Sequence, residues 1–156
     1  MAADPELDLL EQLTTDHEEL RTRFGELGEL PPGDPRRERL VFVTADTLLR
    51  HLVAEEQHLY PIARHGRPRG DQVVDHGLQS HAALRGLVRE LGRSPSGPAG
   101  FDRLVAQLIE VATDHFHREE TELFPTVREH SAPVRLTALG AEVRATERAA
   151  SGPPTG

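Results

Sequence analysis

Apolar residues recur three and four positions apart along four long stretches of this chain, and each stripe is interrupted by histidine or glutamate. From about residue 5 to residue 30 the stripe is Leu10, Leu13, Leu20, Phe24 and Leu27, the face of an amphipathic helix, with His17 in the slot of another apolar residue. Pro31-Pro32-Gly33 ends that helix, and Asp34-Pro35 reads as an N-cap followed by proline at the first helical position. A second helix to about residue 64 turns Val41, Leu48, His51, Leu52, Glu55 and Leu59 inward, and Pro61 is expected to kink or end it. Residues 66–70 read as a turn. A third helix from about residue 71 carries Val74, His81, Leu84, Val88 and Leu91. Residues 94–100, rich in proline, glycine and serine, read as a loop. A fourth helix, at about 101–129, presents Val105, Leu108, Ala112, His115, Glu119 and Leu123. Beyond Ala132-Pro133 a short, weaker helix is expected to about residue 150, and residues 151–156 are expected to be disordered.

No stretch reads as a strand. Four helices joined by short loops predict an all-α fold, an antiparallel up-down four-helix bundle with a short C-terminal helix and a disordered tail. The expected division is residues 1–130 for the bundle, as two helix pairs at about 9–66 and 71–130, and 131–156 for the C-terminal helix and tail.

The two helix pairs repeat at a fixed offset of 64 positions: His17 falls on His81, His51 on His115 and Glu55 on Glu119. The surroundings follow, with Leu20 on Leu84, Arg21 on Arg85, Leu27 on Leu91, Glu56 on Glu120 and Pro61 on Pro125. Each half therefore reads as one histidine followed by His-x-x-x-Glu. On a helix, residues four apart lie about 40° apart around the axis and about 6 Å along it, so both side chains of such a pair reach one centre. His58, His65, His76, His117 and His130 have no histidine partner in the repeat. They read as rim or surface residues.

A single histidine on an apolar face is ordinarily a satisfied core residue. Six titratable groups converging on one level of a bundle core are a different matter, because burying each without a partner costs several kcal/mol, roughly. A pair of metal ions supplies that partner, with His17, His51, Glu55, His81, His115 and Glu119 as ligands. Neighbouring helices suggest His17 and His51 on one metal, His81 and His115 on the other. Glu56 and Glu120 lie well off the ligand direction and read first as solvated, with support behind the ligands or auxiliary ligation as the alternative.

Composition narrows the setting. The 156 residues are 28% charged and 37% hydrophobic, as in a soluble globular domain. A net charge of −8 without a basic cluster argues against nucleic acid and anionic membrane as partners. The absence of cysteine excludes disulfides, thiolate zinc sites and iron–sulfur clusters, and fits a cytoplasmic location. Neither a signal peptide nor a membrane span is evident.

Asp16-His17-Glu-Glu-Leu20, His51-x-x-x-Glu55-Glu56, Ser80-His81-x-x-Leu84 and His115-x-x-x-Glu119-Glu120 together resemble the hemerythrin-like family, specifically the bacterial HHE cation-binding domains. The resemblance runs from about residue 9 to 129. It implies a non-haem di-iron centre with both glutamates bridging the irons beneath an oxo or hydroxo group. Iron rests on the resemblance, since imidazole and carboxylate equally suit manganese or zinc. The oxygen-carrying hemerythrins carry a further histidine one turn before the third-helix ligand, where this chain has Gly77, and His76 points about 140° away from His81. They also use His-x-x-x-x-Asp in the fourth helix. Two roughly octahedral irons offer about twelve positions, of which the six side chains and a bridging oxygen would fill about ten. The resemblance thus implies room for a small exogenous ligand such as dioxygen, peroxide or nitric oxide.

Three functions follow as expectations: a module that binds such ligands, an oxidoreductase that disproportionates peroxide or reduces nitric oxide, and a protein whose fold responds to iron. Tyr60, the single tyrosine, has Phe124 as its repeat partner and is a candidate outer-sphere residue. No particular protein partner is implied.

Overall fold

The first helix, α1 (Leu9–Glu29), begins at Leu9 rather than near residue 5, because Asp8 caps it. The Asp8 carboxylate accepts from the Glu11 amide while the Glu11 side chain accepts from the Asp8 amide, a reciprocal capping box. The computed structural model describes residues 6–65, 69–93 and 97–149. The expected turn at 66–70, the start of the loop at 94–100 and the disordered tail fall largely or wholly outside these residues.

Asp34 caps α2 (Pro35–Ala54) through the Arg36 amide, with proline at the first helical position as the sequence predicts. The chain then passes through a five-residue π-helical segment (Glu55–Leu59) into α3 (Tyr60–Arg64). Pro61 brings no helix stop. It has no N–H to give to an i−4 carbonyl and its ring crowds that carbonyl. The turn before it widens, and the Tyr60 amide bonds to the Glu55 carbonyl five residues back. The second half repeats the solution: α4 (Gly70–Gly92), α5 (Gly97–Arg118), a π segment (Glu119–Leu123) and α6 (Phe124–His130), with the Phe124 amide on the Glu119 carbonyl and Pro125 following. Helix α5 starts at Gly97, so residues 97–100, expected as loop, form its first turn.

The chain ends in α7 (Pro133–Ala149). Seventeen residues long, it is not the weak element its sparse stripe suggested. It packs against α1, α2 and the first π segment, burying Leu136, Gly140 and Val143. The fold is an all-α bundle of four main helices with this shorter fifth helix.

Two apolar clusters fill the interior. One holds Leu9, Leu13, Leu59, Val74, Phe124 and Val127 with Leu136 and Val143 of α7. The other holds Leu20, Phe24, Leu48, Leu84, Leu108 and Phe116. His17, His51, Glu55, His81, His115 and Glu119 are all buried as well. On α1 the order is plain: Leu9, Leu10 and Leu13, then Asp16 and His17, then Leu20, Phe24 and Leu27. A polar layer divides the core.

Gly140 shows how closely α7 is seated. A Cβ there would collide with the Leu7 carbonyl oxygen and lie 2.7 Å from the Asp8 carbonyl carbon, both backbone atoms that cannot turn aside. Gly140→Ala is expected to cost about 1–3 kcal/mol by overpacking. Gly25→Ala, at an exposed helical position with nothing within 4 Å, should instead stabilise by about 0.5–1 kcal/mol. Chemical denaturation of the two variants checks both signs.

Candidate metal centre

The six residues singled out by the repeat meet at one level. His17, His51, Glu55 and Glu119 each place a ligand-type atom within 4.8 Å of the others, and Glu55, His81 and His115 do the same. Glu55 belongs to both groups, as expected of a carboxylate between two centres. The imidazoles pair across helices: His17 Nε2 lies 3.1 Å from His51 Nε2, and His81 Nε2 lies 3.1 Å from His115 Nε2.

These nitrogens point inward because their other ring nitrogens are held from behind. Glu120 sits 3.1 Å from His17 Nδ1, Glu56 2.8 Å from His81 Nδ1, and Asp16 3.2 Å from His51 Nδ1. A carboxylate accepts, so each of these Nδ1 atoms carries a proton, and Nε2 is the nitrogen that faces the centre. Glu120 is gripped by both terminal nitrogens of Arg21, at 3.0 and 2.8 Å, and Glu56 by those of Arg85, at 2.6 and 3.2 Å. Glu56 and Glu120 therefore take the alternative role, support behind the ligands, rather than a solvated face. They are half-buried and orient histidines on neighbouring helices, which the periodicity of their own helices does not reveal. The repeat held the signal, since it preserves Arg21/Arg85 along with Glu56/Glu120. Asp16 and Phe116 were also missed. Phe116 is fully buried and stacks on His17 with ring centroids 4.1 Å apart and planes 14° apart.

The solitary histidines lie away from this layer. His65, His76, His117 and His130 are exposed. His58 is half-buried and meets α7, 2.6 Å from Thr146 Oγ1 and 3.4 Å from Glu142. Tyr60 is buried with its hydroxyl 3.0 Å from His81 Nε2 and donating to Glu119 Oε2 at 3.1 Å. Gly77 leaves room for that hydroxyl, because a Cβ at 77 would lie 2.5 Å from it.

The charged groups of the layer act strongly on one another. Burial opposes ionisation of His51, yet the charge of Glu55 and the bond from Asp16 hold its pKa well above the ordinary imidazole value. Burial pushes Glu55 up, but the charge of His51 and the closeness of the Glu119 and His115 side chains bring it well below the carboxylate range. His115 is raised, Glu119's charge overcoming burial, and Glu119 is raised by burial and by the charge of Glu55. The bond from His17, against burial and with help from Arg21, lowers Glu120 to about 2. Burial and the charges of Glu55 and Glu119 push Tyr60 far above the phenol range, so its hydroxyl keeps its proton.

Do these residues suit a metal pair? Both Glu55 oxygens and Glu119 Oε1 are buried without a hydrogen-bond donor of acceptable geometry, although histidine nitrogens lie 3.0 to 3.5 Å from Glu55. Orphaned carboxylate acceptors beside paired imidazole nitrogens are the donor set of a hard-to-borderline cation. The site fits.

A helical bundle with a buried His/Glu layer defines a class of metal-binding four-helix proteins. The model of the hemerythrin HHE cation binding domain matches residues 8–127, and the chain belongs to that family. A crystal structure of a hemerythrin HHE cation binding domain-containing protein from Mycobacterium kansasii superposes with a TM-score of 0.79 over 92% of this chain and 87% of that one, at 19% identity. A DNA nickase of Nostoc sp. is 28% identical over 145 residues, 91% of this chain but 40% of that protein's length.

Glu147 of α7 adds a pH-dependent element behind Asp16. Burial and the adjacent Asp16 raise its pKa from the ordinary carboxyl range to about 9. A carboxyl raised on folding contributes stability that is fully present below the unfolded pKa and is lost as pH rises through the folded one. Glu147→Gln keeps a hydrogen-bonding side chain and removes that titration. The melting temperature of the variant relative to the parent should climb by several degrees between pH 5 and pH 9, as read by circular dichroism.

Proposed function

We propose that this protein holds two iron ions through His17, His51, Glu55, His81, His115 and Glu119, and binds a small oxidant there. The observation that carries this reading is the orphaned oxygens of Glu55 and Glu119 between two imidazole pairs. His17 and His51 would serve one ion, His81 and His115 the other, with the two carboxylates between them. Bound iron would supply a one-electron couple at each ion and an open position for dioxygen, peroxide or nitric oxide.

The chain's own residues would supply the rest. Glu120, Glu56 and Asp16 hold the Nδ1 protons and so fix three ligand rings; such outer partners typically contribute about 10–100-fold in metal affinity. Arg21 and Arg85 keep the two glutamates ionised and aimed. Phe116 and the apolar clusters on either side bound the layer above and below. Tyr60 holds a proton between His81 and Glu119. That placed proton favours the oxidoreductase reading, peroxide disproportionation above all, over a simple carrier. The glycine at 77, filled by the Tyr60 hydroxyl, points the same way, since the fifth histidine of the oxygen carriers has no space there.

DNA cleavage, suggested by the Nostoc nickase, finds less support. The chain spans about 40% of that protein, and a net charge of −8 opposes phosphate binding. No helix among the described residues is long and apolar enough to cross a membrane.

Metal analysis of purified protein tests the reading: two irons per chain, with an absorption band that bleaches on reduction and returns on oxidation. His51→Ala and His115→Ala should each lose metal, while His65→Ala and His117→Ala keep it. Equal loss in all four would sink the assignment. Tyr60→Phe should keep both irons but lower oxygen release from peroxide by about a hundredfold, the usual worth of a placed proton donor. Undiminished release would remove Tyr60 from the chemistry.

A further inference from the structure

The 64-residue repeat pairs the two halves of the bundle position by position, so an opening to the centre in one half implies a counterpart in the other. One half has such an opening. A cavity of about 250 Å³ lies between α4 and α5, with His115, Glu119 and Tyr60 among its lining and Gln72, His76 and Glu122 exposed in its wall. That volume is several times the roughly 30 Å³ share of a water molecule.

The counterpart falls between α1 and α2. Shifting Gln72, His76, Gly77 and Glu122 by 64 gives Asp8, Gln12, Leu13 and His58. Here α7 fills the groove. His58 meets Thr146 at 2.6 Å and Glu142 at 3.4 Å. Arg144 spans from the Leu7 carbonyl, at 2.9 Å, to Gln12 Oε1, at 3.2 Å. Gly140 lies against the backbone of Leu7 and Asp8. Beneath them Leu13, fully buried, stands where the open side has Gly77.

A second pair of grooves shows that the pseudo-symmetry holds where α7 is absent. Glu56, Tyr60, Val74 and Leu78 line one of them, and their repeat partners Glu120, Phe124, Leu10 and Thr14 line the other. Neither touches the six residues of the central layer. The break in symmetry is local to α7, which has no equivalent in the repeat.

We infer that α7 plugs one of two related entrances, so that small ligands of two or three atoms reach the centre through the α4/α5 cleft and arrive on the His115–Glu119–Tyr60 side. This rests on the proposed metal centre for what the ligand binds, but the access route itself is a property of the polypeptide. It also gives Tyr60 its place: the one proton-bearing hydroxyl of the layer stands on the side where ligand enters, and Phe124 stands in the corresponding place on the plugged side.

Azide is a suitable probe. In the iron-loaded protein, the double variant Gln72→Phe/His76→Phe should slow both azide association and dissociation by about tenfold. The equilibrium affinity should barely move, since a blocked path raises the same barrier in both directions. Glu142→Phe, on α7, should leave both rates unchanged. Metal content of two per chain in each variant separates access from loss of the centre. Unchanged rates in the double variant, or equal slowing by Glu142→Phe, would overturn the inference.

A readout free of metal comes from Tyr60, the single tyrosine in a chain without tryptophan. Acrylamide quenching of its emission should weaken in the double variant and persist in Glu142→Phe. Quenching unchanged by the double variant counts against the cleft. Absence of iron from the parent protein with quenching altered as expected would instead defeat the proposed function and leave the route standing.

Discussion

Two carboxylates side by side in an apolar interior set the terms for the rest of this molecule. Glu55 and Glu119 are fully or almost fully buried, and three of their four oxygens receive no hydrogen bond. Unpaired, such groups would cost more than a domain of this size can spare. Four imidazoles surround them, and each imidazole is itself a polar group to be satisfied. Glu120, Glu56 and Asp16 do so for three of them from outside the layer, and Arg21 and Arg85 satisfy the two glutamates in turn. The chain of obligations ends at the half-exposed arginines, where water takes over. Apolar clusters close the layer above and below, which makes its geometry matter.

The backbone carries a matching adaptation. Each buried glutamate opens a π-helical segment, and each segment ends two residues before a proline. Proline alone would leave an unbonded carbonyl and a kink. The widened turn instead passes the bond one residue further, and the helix continues into the apolar cluster around Leu59 and Leu123. Residues that position a charged group and residues that seat it in the core are thus joined without a break in the helix.

Much of this was legible in the sequence because it is periodic. The offset of 64 identified the four histidines and two glutamates of the layer, and the three- and four-residue spacing gave four main helices. What escaped are features that periodicity does not encode. Glu56 and Glu120 point away from the ligand direction of their own helices, yet a neighbouring helix presents His81 or His17 to them. Asp16, beside His17 in sequence, serves His51 on another helix. The widened turns hide because proline marks a helix end and its repair equally well. Helix α7 shows only Leu136, Gly140 and Val143 as its buried seam, and a seam built around glycine leaves little hydrophobic signal.

The supporting carboxylates also differ in how much charge they send inward. Glu120 and Glu56 are each balanced by an arginine, so the pairs Glu120–Arg21 and Glu56–Arg85 are nearly neutral and act mainly by holding a proton on Nδ1. Asp16 has no arginine. Its neighbours are Gln12 and Glu147, and Glu147 with a pKa near 9 is protonated at neutral pH. The uncompensated charge of the layer is therefore that of Glu55, Glu119 and Asp16. Without metal, protons on the imidazoles are the available counter-charge, which is why His51 and His115 are both held above the ordinary imidazole value despite burial. Cations entering the centre would displace those protons, since a histidine ligates only when its nitrogen is free. The same electrostatic demand that raises His51 and His115 is the one a metal pair would meet.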